Sequence, residues 1–132
     1  MALLSGSGAF AETFAVSLVL LAVFATLYSL ITLHREMAMI RAGNKTAALS
    51  FGGAIIGFVI PVAKAASQST DLVDLTVWSA FAFVAQCLGY FAAVMLIPHL
   101  RKSIEDDHVA SGIMLTALSV AIGMLNAAAM SL

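Results

Sequence analysis

The chain has 132 residues, of which 62% are hydrophobic and only 10% charged, and its mean hydropathy is +1.06. An ordinary water-soluble domain carries about 25% charge, so that class is excluded. The net charge is −1, with six Lys and Arg in all, too few for the basic surface that nucleic acid requires. Cys87 is the single cysteine, which rules out an internal disulfide and any paired-thiol chemistry.

Residues 1–9 are small and lack a positive charge, and no Lys or Arg precedes Arg35. A secretory signal wants a basic start and a short apolar core. Here the first apolar run covers 21 residues, Thr13 to Leu33, long enough for a retained transmembrane helix with Glu12 at its outer end. His34 to Gly43 closes that run. Met37 and Ile40, three apart, suggest an interfacial helical turn that stops at Gly43. Asn44 then caps the second helix.

Between Lys45 and Lys64 lie 18 uncharged residues broken by Gly52, Gly53, Gly57 and Pro61. Such breakers suit a membrane helix, where small residues let backbones approach and neighbours satisfy freed carbonyls. At about 1.5 Å per residue the stretch spans about 27 Å, close to the hydrocarbon core. The polar segment after Lys64 reads as a short loop. A third uncharged run extends from Leu75 to Leu100, with Trp78 near one end and Pro98 near the other. Residues 101–108 form the next loop, with Asp106 or Asp107 as the expected cap of the fourth run, Val109 to Leu132. The expectation is an all-α bundle of four transmembrane helices, Thr13–Leu33, Thr46–Ala63, Leu75–Pro98 and Val109–Leu132, in a single membrane domain over residues 1–132.

Arg35, Arg41, Lys45, Arg101 and Lys102 fall in the first and third loops, whereas Lys64 alone lies toward the other side. The positive-inside rule places those two loops in the cytoplasm and both termini outside. Each half then repeats helix, cytoplasmic loop, helix, over about 10–66 and 72–132. Leu30-Ile31-Thr32 parallels Leu96-Ile97-Pro98, and Asn44-x-x-Ala47 parallels Asp107-x-x-Ala110. Gly53 and Gly57 correspond to Ser119 and Gly123 at a shift of 66, while the loops align at 63. The repeats are parallel, not inverted.

Small or polar residues recur at helical spacing on every span. They are Ala22, Ala25, Ser29 and Thr32; Gly53, Gly57 and Pro61; Ser79, Ala82, Gln86, Gly89 and Ala93; and Gly112, Thr116, Ser119, Gly123 and Asn126. Because lipid is as apolar as leucine, such stripes mark helix–helix contact. The competing reading is a lining for a conduction path.

At this point Leu27-Tyr28-Ser29-Leu30-Ile31-Thr32, Asn44-x-x-Ala47, Gly57-Phe58-Val59-Ile60-Pro61 and Gly123-Met124-Leu125-Asn126-Ala127-Ala128 together resemble the YjfL family of small bacterial inner-membrane proteins, over nearly the whole chain. The resemblance implies a duplicated two-helix unit in a bacterial inner membrane, with no established catalytic residue to carry over. Family members place Pro after the threonine matching Thr32, where this chain has Leu33, so the first helix is expected to run on into the loop.

Few residues invite chemistry. Glu12 and Lys64 share the outer level with Asp71, Asp74 and Asn126, and form either a polar outer layer with a Glu12–Lys64 pair or a simple snorkelling lysine beside a wet carboxylate. Pro61 leaves the Gly57 carbonyl without its helical donor. Gln86 sits near mid-membrane and must point inward, as interhelical glue or as a permeation ligand. His34, His99 and His108 gather at the cytoplasmic rim with Glu36, Glu105, Asp106 and Asp107, in spacings that match no compact metal motif. No nucleophile–base pair, phosphate loop or cofactor fingerprint occurs, so neither catalysis nor a cofactor or metal is expected. The functional expectation is a self-associating inner-membrane subunit or anchor. It would recruit partners through the loops at 34–45 and 101–108, the alternative being a homo-oligomeric channel or transporter for a small ion or solute.

Overall fold

A computed structural model describes residues 2–32, 36–68 and 71–130, and every regular element among them is helical. The elements are α1 (Ala2–Thr32), α2 (Glu36–Arg41), α3 (Lys45–Gln68), α4 (Leu72–Leu96), α5 (Leu100–Glu105) and α6 (Val109–Ala129). Four are long and apolar enough to cross a bilayer. The shortest of these, α6, has 21 residues, about 31 Å at the helical rise.

Helix boundaries follow local chemistry. α1 begins well before Thr13, because a long helix extends through Ser and Gly at only about 1 kcal/mol per glycine. Leu33 and Leu132, which the expected spans include, lie outside the described residues, and so does the run-on of the first helix. α4 starts after Asp71, whose carboxylate accepts from the Asp74 amide at 2.7 Å, a side-chain N-cap. It stops at Leu96 rather than Pro98, because the proline forces Ile97 to extended angles (φ −113°, ψ 104°). The expected loop at 101–108 contains a helix instead. Leu100 and Ile104, four apart, are 2% and 1% exposed and fix α5 to the bundle. On α2 the inward residues are Met39 and Ile40, while Met37 is exposed.

α3 is the central element. It packs most extensively on α6 and also touches α4 and α1, and α4 in turn packs on α6. A Cβ at Gly112 would meet Thr46, one at Gly53 would lie 2.7 Å from the Thr116 Cα, and one at Gly57 would strike Ser119. These contacts ascend together, so α3 and α6 run parallel and start at the same end. A methyl at Gly123 would overlap the Gly57 carbonyl, as one at Gly57 would overlap the Ser119 carbonyl. Each carbonyl oxygen thus rests on a glycine Cα, the close approach that Cα–H···O contacts exploit.

α1 is held differently. Its apolar span is 11% buried against 50% for α3. The small residues of the expected stripe do not hold it: Ala22 is exposed, Ala25 and Ser29 are half-buried, and the Thr32 side chain is outside the described set. The buried residues are Phe24 and Tyr28. Phe24 stacks on Phe58 at 4.2 Å between ring centroids and meets Phe83 edge-on at 5.8 Å, while Tyr28 meets Tyr90 edge-on at 6.1 Å. Rings bridge a separation that alanine and serine cannot. Apolar grooves flank them, one of about 470 Å³ beside Phe14, Leu18, Leu21 and Val62 and one of about 190 Å³ beside Leu20, Thr76 and Phe83.

Candidate functional site

The described polar groups converge at two places along the α3–α6 contact. The first is the end where both helices begin, which carries Arg41, Lys45, Arg101 and Lys102. α2 ends with the Gly43 amide on the Ile40 carbonyl (3.0 Å) and the Asn44 amide on Met39 (2.9 Å), and Gly43 has φ +92°. α5 ends in the same pattern, with the Asp107 amide on Ile104 (3.1 Å) and the His108 amide on Ser103 (2.9 Å). Both are Schellman closures, which require a left-handed residue at the turn. In the second turn that residue is Asp107, at φ +57°, among the few non-glycine types that tolerate it.

The two turns clamp each other. Asn44 Oδ1 accepts from the Ala47 amide at 2.8 Å, the expected cap of α3, while its Nδ2 donates to the Ile104 carbonyl at 2.7 Å. Asp107 Oδ1 accepts from the Thr46 amide at 2.8 Å and from Thr46 Oγ1 at 2.7 Å. Asp107 therefore caps α3, not α6 as its sequence position suggests, because the left-handed turn swings its carboxylate across to the neighbouring helix. His108 occupies the N-cap of α6 without a side-chain hydrogen bond. The carboxylate sits at the positive end of α3, where a negative charge is favoured. Hydrogen bonds from the Thr46 hydroxyl and amide, helped by the nearby Lys45 charge, hold its pKa below the ordinary carboxylate value.

Around this clamp the rim is wet. His99, Arg101, Lys102, Glu105, Asp106 and His108 are exposed, and the Arg101–Glu105 pair at 3.5 Å is exposed on both sides, where such pairs contribute little. Among the described residues no three His, Cys, Asp or Glu side chains approach closely enough to hold a metal ion; His34 and the Glu36 side chain are outside that set.

The second place lies deeper. Gln86 is 1% exposed, and its Nε2 donates to the Ser119 carbonyl at 3.0 Å. Gly53, Gly57, Pro61, Ser119 and Gly123 are all buried around the same α3–α6 crossing. Thr116 Oγ1 adds a bond to the Leu49 carbonyl at 2.6 Å. Tyr90, one turn after Gln86, is buried, and Cys87 is half-buried.

The remaining candidates lie toward the opposite end. Glu12 is exposed and lines an open cavity of about 400 Å³ with Thr13, Ala66, Asp71 and Leu72. Lys64 and Asn126 are half-buried. Sequence reasoning missed the Thr46–Asp107 link and the aromatic cluster. The i,i+4 pair Leu100 and Ile104 was a usable sign of α5, but nothing in the sequence marks Thr46.

Residues 2–130 match the family described as Domain of Unknown Function (DUF350). The chain belongs to the DUF350 family. It is 32% identical over 123 residues to the UPF0719 inner membrane protein YjfL of Escherichia coli (strain K12), covering 93% of each chain. Over 120 residues it is 28% identical to the UPF0719 transmembrane protein YshE of Bacillus subtilis (strain 168), covering 89% of this chain and 90% of that one. No solved structure matches. These relatives and the four apolar helices make this DUF350 protein a multi-pass inner-membrane protein, in agreement with the YjfL resemblance carried by its motifs.

Proposed function

We propose that this protein is a membrane subunit or anchor that self-associates in the bilayer and presents a fixed, charged cytoplasmic rim to partners. The observation that carries the reading is the α3–α6 crossing, where glycine backbone touches backbone. Such a contact favours a closed centre over a conduit through one protomer. The Asn44–Ile104 and Asp107–Thr46 bonds tie the two loops into one platform bearing Arg41, Lys45, Arg101 and Lys102. Positive charge collected at one end supports loops inside and termini outside. The shared Schellman closures of α2 and α5, each leading into one of two parallel packed helices, support a repeat of two hairpins, over about 10–66 and 72–132. α6 exposes Ile113, Met114, Met124 and Leu125, a face on which a second copy would pack. The reading assigns no catalysis, because the polar groups brought together serve capping and interhelical bonds.

A cysteine at Met124 in a Cys87→Ser background tests self-association. Crosslinking between copies in native membranes is expected, and its loss on Leu125→Arg. Flux of small ions across liposomes holding the purified protein would overturn the anchor reading in favour of transport.

A further inference from the structure

We infer that the α3–α4–α6 crossing holds a buried water molecule, bridging Gln86, Asn126 and the Gly57 carbonyl. Gln86 spends its amide hydrogens toward Ser119, yet its Oε1 is buried without a hydrogen-bond partner among the described residues. The amide is aimed into the crossing, since its Nε2 stands 2.6 Å from where a Gly57 Cβ would be. Flipping it would set oxygen against the Ser119 oxygen, so the orphan acceptor is not cured by exchange. Asn126 supplies the complementary orphan, a buried Nδ2 with no acceptor. It follows Ser119 and Gly123 at i+7 and i+3, which places it on the face of α6 that meets α3. The third group is the Gly57 carbonyl. Pro61, inside α3, has no amide hydrogen to close the ladder onto it.

Two acceptors and one donor are the bonds of one water, which donates to Gln86 Oε1 and Gly57 O and accepts from Asn126 Nδ2. About three bonds is typical of buried waters, and ordered waters commonly satisfy carbonyls freed by proline in membrane helices. A dry alternative would leave all three groups unpaired in a low-dielectric interior. The inference stands apart from the proposed function, because one enclosed water is not a path.

Solid-state NMR of the isotope-labelled protein in lipid bilayers tests it by water-to-protein polarisation transfer. Gln86 Nε2, Asn126 Nδ2 and the Gly57 carbonyl carbon are expected to build up several-fold faster than Ser79 and Ala82, which are buried in the same helix as Gln86. In Gln86→Leu the transfer to Asn126 is expected to fall with it. Build-up no faster than at Ala82 in the wild type would overturn the inference without any variant. An undiminished Asn126 signal in Gln86→Leu would overturn the single bridging water.

Discussion

α3 is attached to α6 and to α1 by opposite means. Against α6 it presents Gly53 and Gly57, and the helices approach until carbonyl oxygens meet Cα atoms. Against α1 it presents Phe58, and a stack of rings spans a wider gap flanked by grooves. In lipid neither contact is driven by expulsion of water, so shape fit and dispersion decide their strengths. A contact without Cβ atoms is unforgiving of any added atom. A contact made of rings tolerates loss, because an acyl chain can occupy the space a ring leaves.

The sharpest way to break the contrast is Gly57→Leu. Its side chain would enter the Ser119 backbone, which cannot yield, and the expected cost is about 3 kcal/mol or more, the upper range for overpacking. Thermal unfolding in mild detergent reads this, and a Tm close to wild type would show that α3 and α6 are not in contact. Phe24→Ala is expected to cost less, about 1 kcal/mol, the scale of one aromatic pair. It should loosen α1 alone, seen as faster hydrogen exchange in α1 with α3 and α6 unchanged.

A smaller and pH-dependent effect belongs to the clamp. Asp107 has a folded pKa below its ordinary 3.8, so it stabilises the fold above that value, and the contribution disappears as pH falls through the lowered folded pKa. Asp107→Asn is therefore expected to lower Tm at neutral pH and to converge on wild type in strong acid. A Tm difference constant from neutral to strong acid would remove the Thr46–Asp107 bond from the account. The smallest effect is reserved for Gly52→Ala. A Cβ there meets nothing within 4 Å, and Ala exceeds Gly in helix propensity by up to about 1 kcal/mol. Tm should hold or rise slightly, in contrast to Gly57, five residues on.

The stripes Gly53–Gly57–Pro61 and Gly112–Ser119–Gly123 were legible because only helix contact explains small residues at that spacing in lipid-soluble helices. The same argument failed for Ala22 and Ala25. Alanine is also unremarkable facing lipid, so its spacing carries no direction. Gln86 could be placed inward from its chemistry, since an amide has no partner in hydrocarbon. Its bond to the Ser119 carbonyl depends on a residue 33 positions away and on a crossing geometry the sequence does not encode locally.

The number and length of the membrane-crossing helices were decided by the sequence alone, because burial in hydrocarbon demands long uncharged runs whose backbone bonds close within each segment. The Asn44 cap was equally local. Only the tertiary structure decided that Asp107 caps α3 across the rim, that Leu100 and Ile104 dock α5, and that rings rather than small residues hold α1. Those outcomes depend on distances between segments far apart in the chain, and a residue's type limits what it can bond but not what stands opposite it.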